Sequence, residues 1–115
     1  MRILGIIEFK KHNYINNMAV KPSEALKNHR AEIVQIVEAN RACNARVFGS
    51  VIHGNDTEDS DLDLLIDPTP ETSLLDIARI QNRLQKLLGI SVDVLTPRAL
   101  PESFRDKVLA EAEPI

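Results

Sequence analysis

Gly49-Ser50, a spacer of ten residues, and then Asp61-Leu62-Asp63 make up the part of this sequence best suited to chemistry. A Gly-Ser turn that opens a helix offers backbone N–H groups and a hydroxyl to a phosphate, because glycine lets the main chain approach closely. Two aspartates at i and i+2 of an extended segment point to one face, with Cα atoms about 6–7 Å apart. From there their carboxylates can converge on two cations about 3.5–4 Å apart, the arrangement used for in-line phosphoryl displacement. A third carboxylate, Asp93, follows within Ile90-Ser91-Val92-Asp93-Val94-Leu95.

An Asp-x-Asp pair in an acidic loop means little by itself, and Asp56, Glu58 and Asp59 read as such a solvated loop. Asp63 is different, because it interrupts Leu62-Asp63-Leu64-Leu65-Ile66, a run with the apolar character of a buried strand. Carboxylates buried in a strand are costly unless a cation or hydrogen bonds compensate. Asp93 repeats the pattern. Asp67 shares the face of Asp63 but lies farther along, beside Pro68, and ranks below Asp93 as a ligand. His12 and His29 have no ligand spacing with Cys or carboxylates.

Gly-Ser, ten residues, Asp-x-Asp and a later strand-borne Asp together resemble the nucleotidyltransferase superfamily that shares the polymerase β catalytic core. The chain is similar to its smallest members, the minimal nucleotidyltransferases paired with HEPN-domain proteins in bacterial and archaeal toxin–antitoxin operons. The resemblance covers roughly Pro22 to Ile115. It implies a nucleoside triphosphate substrate, two Mg²⁺ ions, and transfer of a nucleotidyl group to a hydroxyl, with ATP and AMP as the pair that the toxin–antitoxin members suggest. It also implies that Asp61 and Asp63 hold both metals, and that Asp93 helps bind the one activating the acceptor. Gly49 and Ser50 would then hold the β/γ-phosphate end. Related sequences often carry a basic residue, usually Arg, where this chain has His53. Two readings of His53 stand: a protonated imidazole that approaches a phosphate, or an exposed helix residue without a role.

Superfamily members that act on antibiotics or RNA add a domain that binds the acceptor, whereas about twenty residues follow the third apolar strand here. The acceptor is therefore expected on a separate protein, which the analogy names as a tyrosine of a HEPN RNase toxin. Two alternatives remain. One is that the chain is a catalytically degenerate, nucleotide-binding antitoxin or subunit that neutralises its partner by binding; the other is that it is a nucleotidyltransferase subunit acting on a small hydroxylated substrate.

These residues need elements to position them. Pro22-Ser23 opens a first helix with Ser23 as N-cap, and Leu26, Ile33, Ile36 and Val37 make its apolar stripe through about Asn40. Ala42 to Phe48 is the first strand, Gly49-Ser50 turns into a short helix, and Gly54 to Ser60 is a polar loop. Asp61 to Ile66 is the second strand, stopped by Pro68-Thr69-Pro70. Ser73 caps the next helix with Asp76 in capping-box position, Leu74, Ile77, Ala78, Leu84 and Leu88 line one side, and Gly89 ends it. Ile90 to Leu95 is the third strand. Pro101 starts a final helix whose apolar face is Phe104, Val108 and Leu109. The expected class is α/β, in the order α-β-α-β-α-β-α, with a small mixed three-stranded sheet packed with helices. Asp93 would stand beside the Asp61/Asp63 pair, with Leu62, Leu64, Ile66, Ile90, Val92 and Val94 facing the core.

A chain of 115 residues supports one domain, assigned to residues 22–115. Its aromatic residues are Phe9, Tyr14, Phe48 and Phe104, and its net charge is −3. It lacks the stacking platforms and basic groove of a nucleic-acid binder, so direct nucleic-acid binding is not expected. Cys43 is the single cysteine, excludes an intrachain disulfide, and is expected to pack beside Val47-Phe48. The sequence has no long apolar segment, and Glu8, Lys10 and Lys11 cut short the apolar start, so a cytoplasmic protein without membrane contact is expected. Residues 1–21 read as an extension, either an appended arm or an upstream start in place of Met18, expected to be poorly ordered without a partner.

Overall fold

Proline at the first position of helix α1 (Pro22–Ala39) lacks only an N–H that would have no helical partner there. The computed structural model describes residues 14–15 and 18–115. Lys21, not Ser23, occupies the cap position of α1. The Ser23 N–H instead donates to Asp56 Oδ2 at 2.9 Å. Asp56 is therefore not a purely solvated loop residue: it places a carboxylate at a helix N-terminus, where unpaired amides and the helix dipole favour an anion.

The chain continues through β3 (Ala42–Phe48), α2 (Ser50–His53), β4 (Leu62–Pro68), α3 (Leu74–Leu88) and β5 (Val92–Leu95). A 3₁₀ turn (Pro97–Ala99), α4 (Glu102–Glu111) and β6 (Glu113–Pro114) complete it. A short antiparallel hairpin, β1 (Tyr14–Ile15) with β2 (Met18–Ala19), precedes α1. The rest of the expected N-terminal extension lies outside the described residues. The main sheet has the strand order β5-β4-β3-β6, with β4 and β5 parallel and the other two pairs antiparallel. It thus has four strands where the sequence led us to expect three. The added strand is a Glu-Pro dipeptide with no strand signature of its own. It pairs because α4 returns the chain to the edge of β3, where Arg46 faces Pro114 and the Ile115 N–H reaches the Ala45 carbonyl at 3.2 Å. Among the described residues no helix is long and apolar enough to cross a membrane.

Helices α1 and α3 supply Ile33, Val37, Ile80, Leu84 and Leu88 to a core that also takes Leu62, Leu64, Ile66, Ile90, Val92 and Val94 from the sheet. The alternation expected of β4 holds on that face. Leu65, on the opposite face with Asp63, is also fully buried, and the 3₁₀ turn contacts β4. The outer edge of β5 is sealed from α3. Gln85 and Gln81, one helical turn apart, accept the Val92 and Val94 N–H groups at 3.1 and 3.0 Å. Unpaired edge amides that would otherwise template strand pairing are thereby satisfied.

Helix α3 departs from expectation in its phase. Leu74, expected in the core stripe, is 85% exposed, and Ile80 and Asp76 are buried instead. Residues 76, 80, 84 and 88 are successive turns of one face, whereas residue 74 lies across the helix from it. Asp76 can be buried because its acceptors are used. It closes the expected capping box with Ser73 at 2.9 and 3.1 Å, and it accepts from Arg41 Nη2 at 2.6 Å and Arg41 Nε at 3.2 Å. The hydrogen bonds from the Arg41 side chain and the Ser73 amide hold the Asp76 carboxyl well below the usual carboxylate range.

The sign of the resulting pH dependence follows. A carboxyl depressed on folding contributes stability in full above about pH 4, its unfolded value, and loses it as pH falls through the lower folded value. Asp76→Asn should therefore lower the urea midpoint by a constant amount above about pH 5, and this deficit should shrink progressively below about pH 4. Urea melts of both proteins across that range check it. A deficit independent of pH would place the contribution of Asp76 in packing rather than in its charge.

Candidate active site

Strand β3 ends at Phe48, which pairs with Asp63 on β4, so the next residue, Gly49, passes directly over the first half of β4. Gly49 has φ +78° and ψ −144°, a conformation essentially reserved for glycine. A Cβ built there would overlap the Asp63 carboxylate oxygen Oδ2 and stand 3.2 Å from Asp63 Cγ. The missing side chain is thus the space that the carboxylate occupies. The Gly-Ser turn and the Asp-x-Asp motif, ten residues apart in sequence, meet in space.

The parallel register of β4 and β5 sets Asp63 beside Asp93. Asp61 lies two residues upstream, just before β4 begins at Leu62. All three carboxylates are half-buried. Every expected acidic residue is therefore brought to one end of the sheet, where the parallel strands begin and β3 ends. Among the described residues no three acidic, histidine or cysteine side chains form a ready-made metal-binding group. The donor set nonetheless suits Mg²⁺. That ion takes oxygen ligands, and it is commonly held by one or two carboxylates together with substrate phosphates rather than by an all-protein cage. The space at Gly49, which leaves the Asp63 carboxylate room in the turn, fits the same arrangement.

Ser50 opens α2, and the Ile52 and His53 amides bond back to the Gly49 carbonyl at 3.1 and 3.3 Å. His53 is exposed and turned toward α4, with Nε2 at 3.1 Å from Glu111 Oε2. Gly49 and His53 line a cavity of about 260 Å³ together with Phe48, Phe104, Lys107, Val108 and Glu111. The α4 residues escaped the sequence reading. Their spacing of i, i+3, i+4 and i+7 marks one helical stripe, but Phe104, Val108 and Leu109 were expected to face the core. The structure corrects this: α4 buries no residue, and Phe104 is 44% exposed. The helix packs beside the Gly49 turn rather than over the sheet's apolar face.

Two further residues find their places here. Asp67 is engaged by Arg46 Nη2 at 2.5 Å and by Asn44 Nδ2 at 2.8 Å, which accounts for its carboxylate within the sheet. Cys43, expected to pack, is exposed, and its Sγ donates to the Asp67 carbonyl at 3.6 Å. An irregularity in the β3–β4 register between Cys43 and Arg46, with Asn44 at φ +53°, breaks the simple alternation that the expectation assumed.

Residues 31–115 match the family model described as Polymerase beta, Nucleotidyltransferase. A Methanocaldococcus jannaschii chain named "Putative protein adenylyltransferase MJ0435" is 34% identical over 83 residues, 72% of this chain and 89% of its own length. Protein adenylyltransferase MntA of Thermococcus cleftensis is 38% identical over 65 residues, 56% of this chain and 66% of its own. A solved structure of a "putative minimal nucleotidyltransferase" superposes with a TM-score of 0.73 at 41% identity, covering 81% of this chain and 95% of the other. A toxin–antitoxin crystal structure with AMP-PNP gives a TM-score of 0.62 at 17% identity over 73% of this chain and 69% of the other, a likeness of fold alone.

Proposed function

The chain belongs to the polymerase β nucleotidyltransferase family, and we propose that it uses ATP and Mg²⁺ to transfer AMP to a hydroxyl of a partner protein, acting as antitoxin to a HEPN RNase toxin. The observation that carries the reading is the fit of the Asp63 carboxylate into the space left by Gly49, with Asp93 alongside. It joins a phosphate-binding turn to an acidic, oxygen-donor face, which is what a nucleoside triphosphate with its cations requires. Relatives named as protein adenylyltransferases support a protein acceptor, and the fold neighbour solved as a toxin–antitoxin structure supports a toxin as that protein.

In this reading Gly49 and Ser50 hold the β/γ-phosphate end, and Asp61, Asp63 and Asp93 are the residues that would hold Mg²⁺. The bound cations would neutralise the triphosphate and lower the pKa of the acceptor hydroxyl. The acceptor oxygen bonds to the α-phosphorus, the bond from that phosphorus to the bridging oxygen breaks, pyrophosphate leaves, and the hydroxyl proton is lost to solvent. The protein's main contribution is orientation, since a phosphoryl centre needs its attacking and leaving oxygens in line.

Incubation with ATP, Mg²⁺ and a candidate HEPN partner should add one or more AMP units to the partner's mass and suppress its RNase activity. Asp61→Asn should bind the partner as wild type does and fail to modify it. Full silencing by Asp61→Asn at equal concentration would show inhibition by binding alone. No mass added by wild type with any triphosphate would favour the degenerate antitoxin to which His53, in place of a stronger base, points.

A further inference from the structure

The stripe Phe104, Lys107, Val108 and Glu111 on α4 faces Phe48, Gly49 and His53 across the cavity of about 260 Å³. Phe48, Phe104 and Val108 make its walls apolar, and its charged or titratable groups are Lys107, Glu111 and His53. Glu111 Oε2 lies 3.1 Å from His53 Nε2, so any charge gained by the imidazole is offset by its neighbour. Lys107 forms no side-chain ion pair among the described residues. The cavity therefore holds one lysine engaged in no ion pair among the described residues and one glutamate turned toward His53, and it borders the same Gly49 that receives the Asp63 carboxylate.

We infer that Lys107 is the cation that binds the β/γ-phosphate end of the nucleoside triphosphate, a task left open by His53. This rests on the nucleotidyltransferase reading above. A lysine suits it as a compact charge on a flexible stem. The geometry also explains why α4 leaves Phe104 and Val108 out of the core: they form the walls of a ligand site.

Calorimetric titration of wild type, Lys107→Gln, His53→Arg and the double variant with ATP and AMP, in Mg²⁺, tests the inference. Lys107→Gln should weaken ATP about 10-fold or more, as expected for loss of a charged hydrogen bond, and leave AMP unchanged, because AMP lacks the phosphates in question. His53→Arg should restore ATP affinity in the double variant. Lys107 is exposed, so its thermal midpoint without nucleotide should not move, which separates binding from a structural role. Unchanged ATP affinity in Lys107→Gln overturns the inference and leaves the enzymatic reading intact. Equal weakening of ATP and AMP also overturns it, by assigning the cavity to the nucleoside. Wild type that binds no nucleoside triphosphate overturns the nucleotidyltransferase reading and the inference with it.

Discussion

Asp63→Asn should keep its fold and lose nucleotidyl transfer by about 10³-fold or more, since under the proposed function it removes a charge that would hold the cations opposite the developing phosphate charge. The substitution preserves shape, and the residues that anchor β4 in the core, Leu62, Leu64 and Ile66, point to the other face. Asp63 is also the residue that joins the parts of the site, paired with Phe48 across one strand boundary and with Asp93 across the other. A binding readout should move with activity. In wild type, Mg²⁺ with a non-hydrolysable triphosphate should raise the melting temperature, because a ligand of the native state stabilises it by about 2.7 kcal/mol at 100 times its Kd. In Asp63→Asn this metal-dependent shift should vanish. A shift as large as in wild type would remove Asp63 from the metal site, whatever happened to turnover.

Gly49→Ala should be nearly as damaging to transfer, for a different reason. At φ +78° and ψ −144° an alanine is strained by about 1–3 kcal/mol before any contact is considered. Its Cβ would also overlap the Asp63 carboxylate, so either the turn lifts or the carboxylate rotates away. Both outcomes would separate the turn proposed to bind phosphate from the carboxylate proposed to bind metal, and a misplacement of about 1 Å can cost about 10²-fold in rate. Activity should therefore fall about 10²-fold or more, with a lowered thermal midpoint. Combining Gly49→Ala with Asp63→Gly, which removes the obstructing carboxylate, should recover part of the lost midpoint but none of the activity. Full activity in Gly49→Ala would show that the close approach of turn and carboxylate is unnecessary for transfer.

Several features were legible because they are governed by local chemistry. Ala42–Phe48 was read as a strand, and Ser73 with Asp76 as a capping box ended by Gly89, because strand character, caps and glycine stops act within a few residues. The α/β class and the placement of Asp93 beside Asp63 followed from alternation, which fixes the face of each residue once a strand is recognised. Ser23 shows the limit of this reasoning. It has the composition of an N-cap, but Lys21 holds that position and an aspartate thirty-three residues later bonds to the Ser23 amide.

By itself, then, the sequence determined the fold class, the positions of most elements and the placing of Asp93 beside Asp63. Residue type and period are properties of the chain. The tertiary structure alone decided that Gly49 must be glycine to admit the Asp63 carboxylate, that Glu113–Pro114 becomes a fourth strand, and that α4 turns Phe104, Lys107 and Glu111 toward the turn instead of the core. Those outcomes depend on which segments meet after the chain folds, and amphipathic spacing can say that a helix has a preferred face without saying what that face will meet.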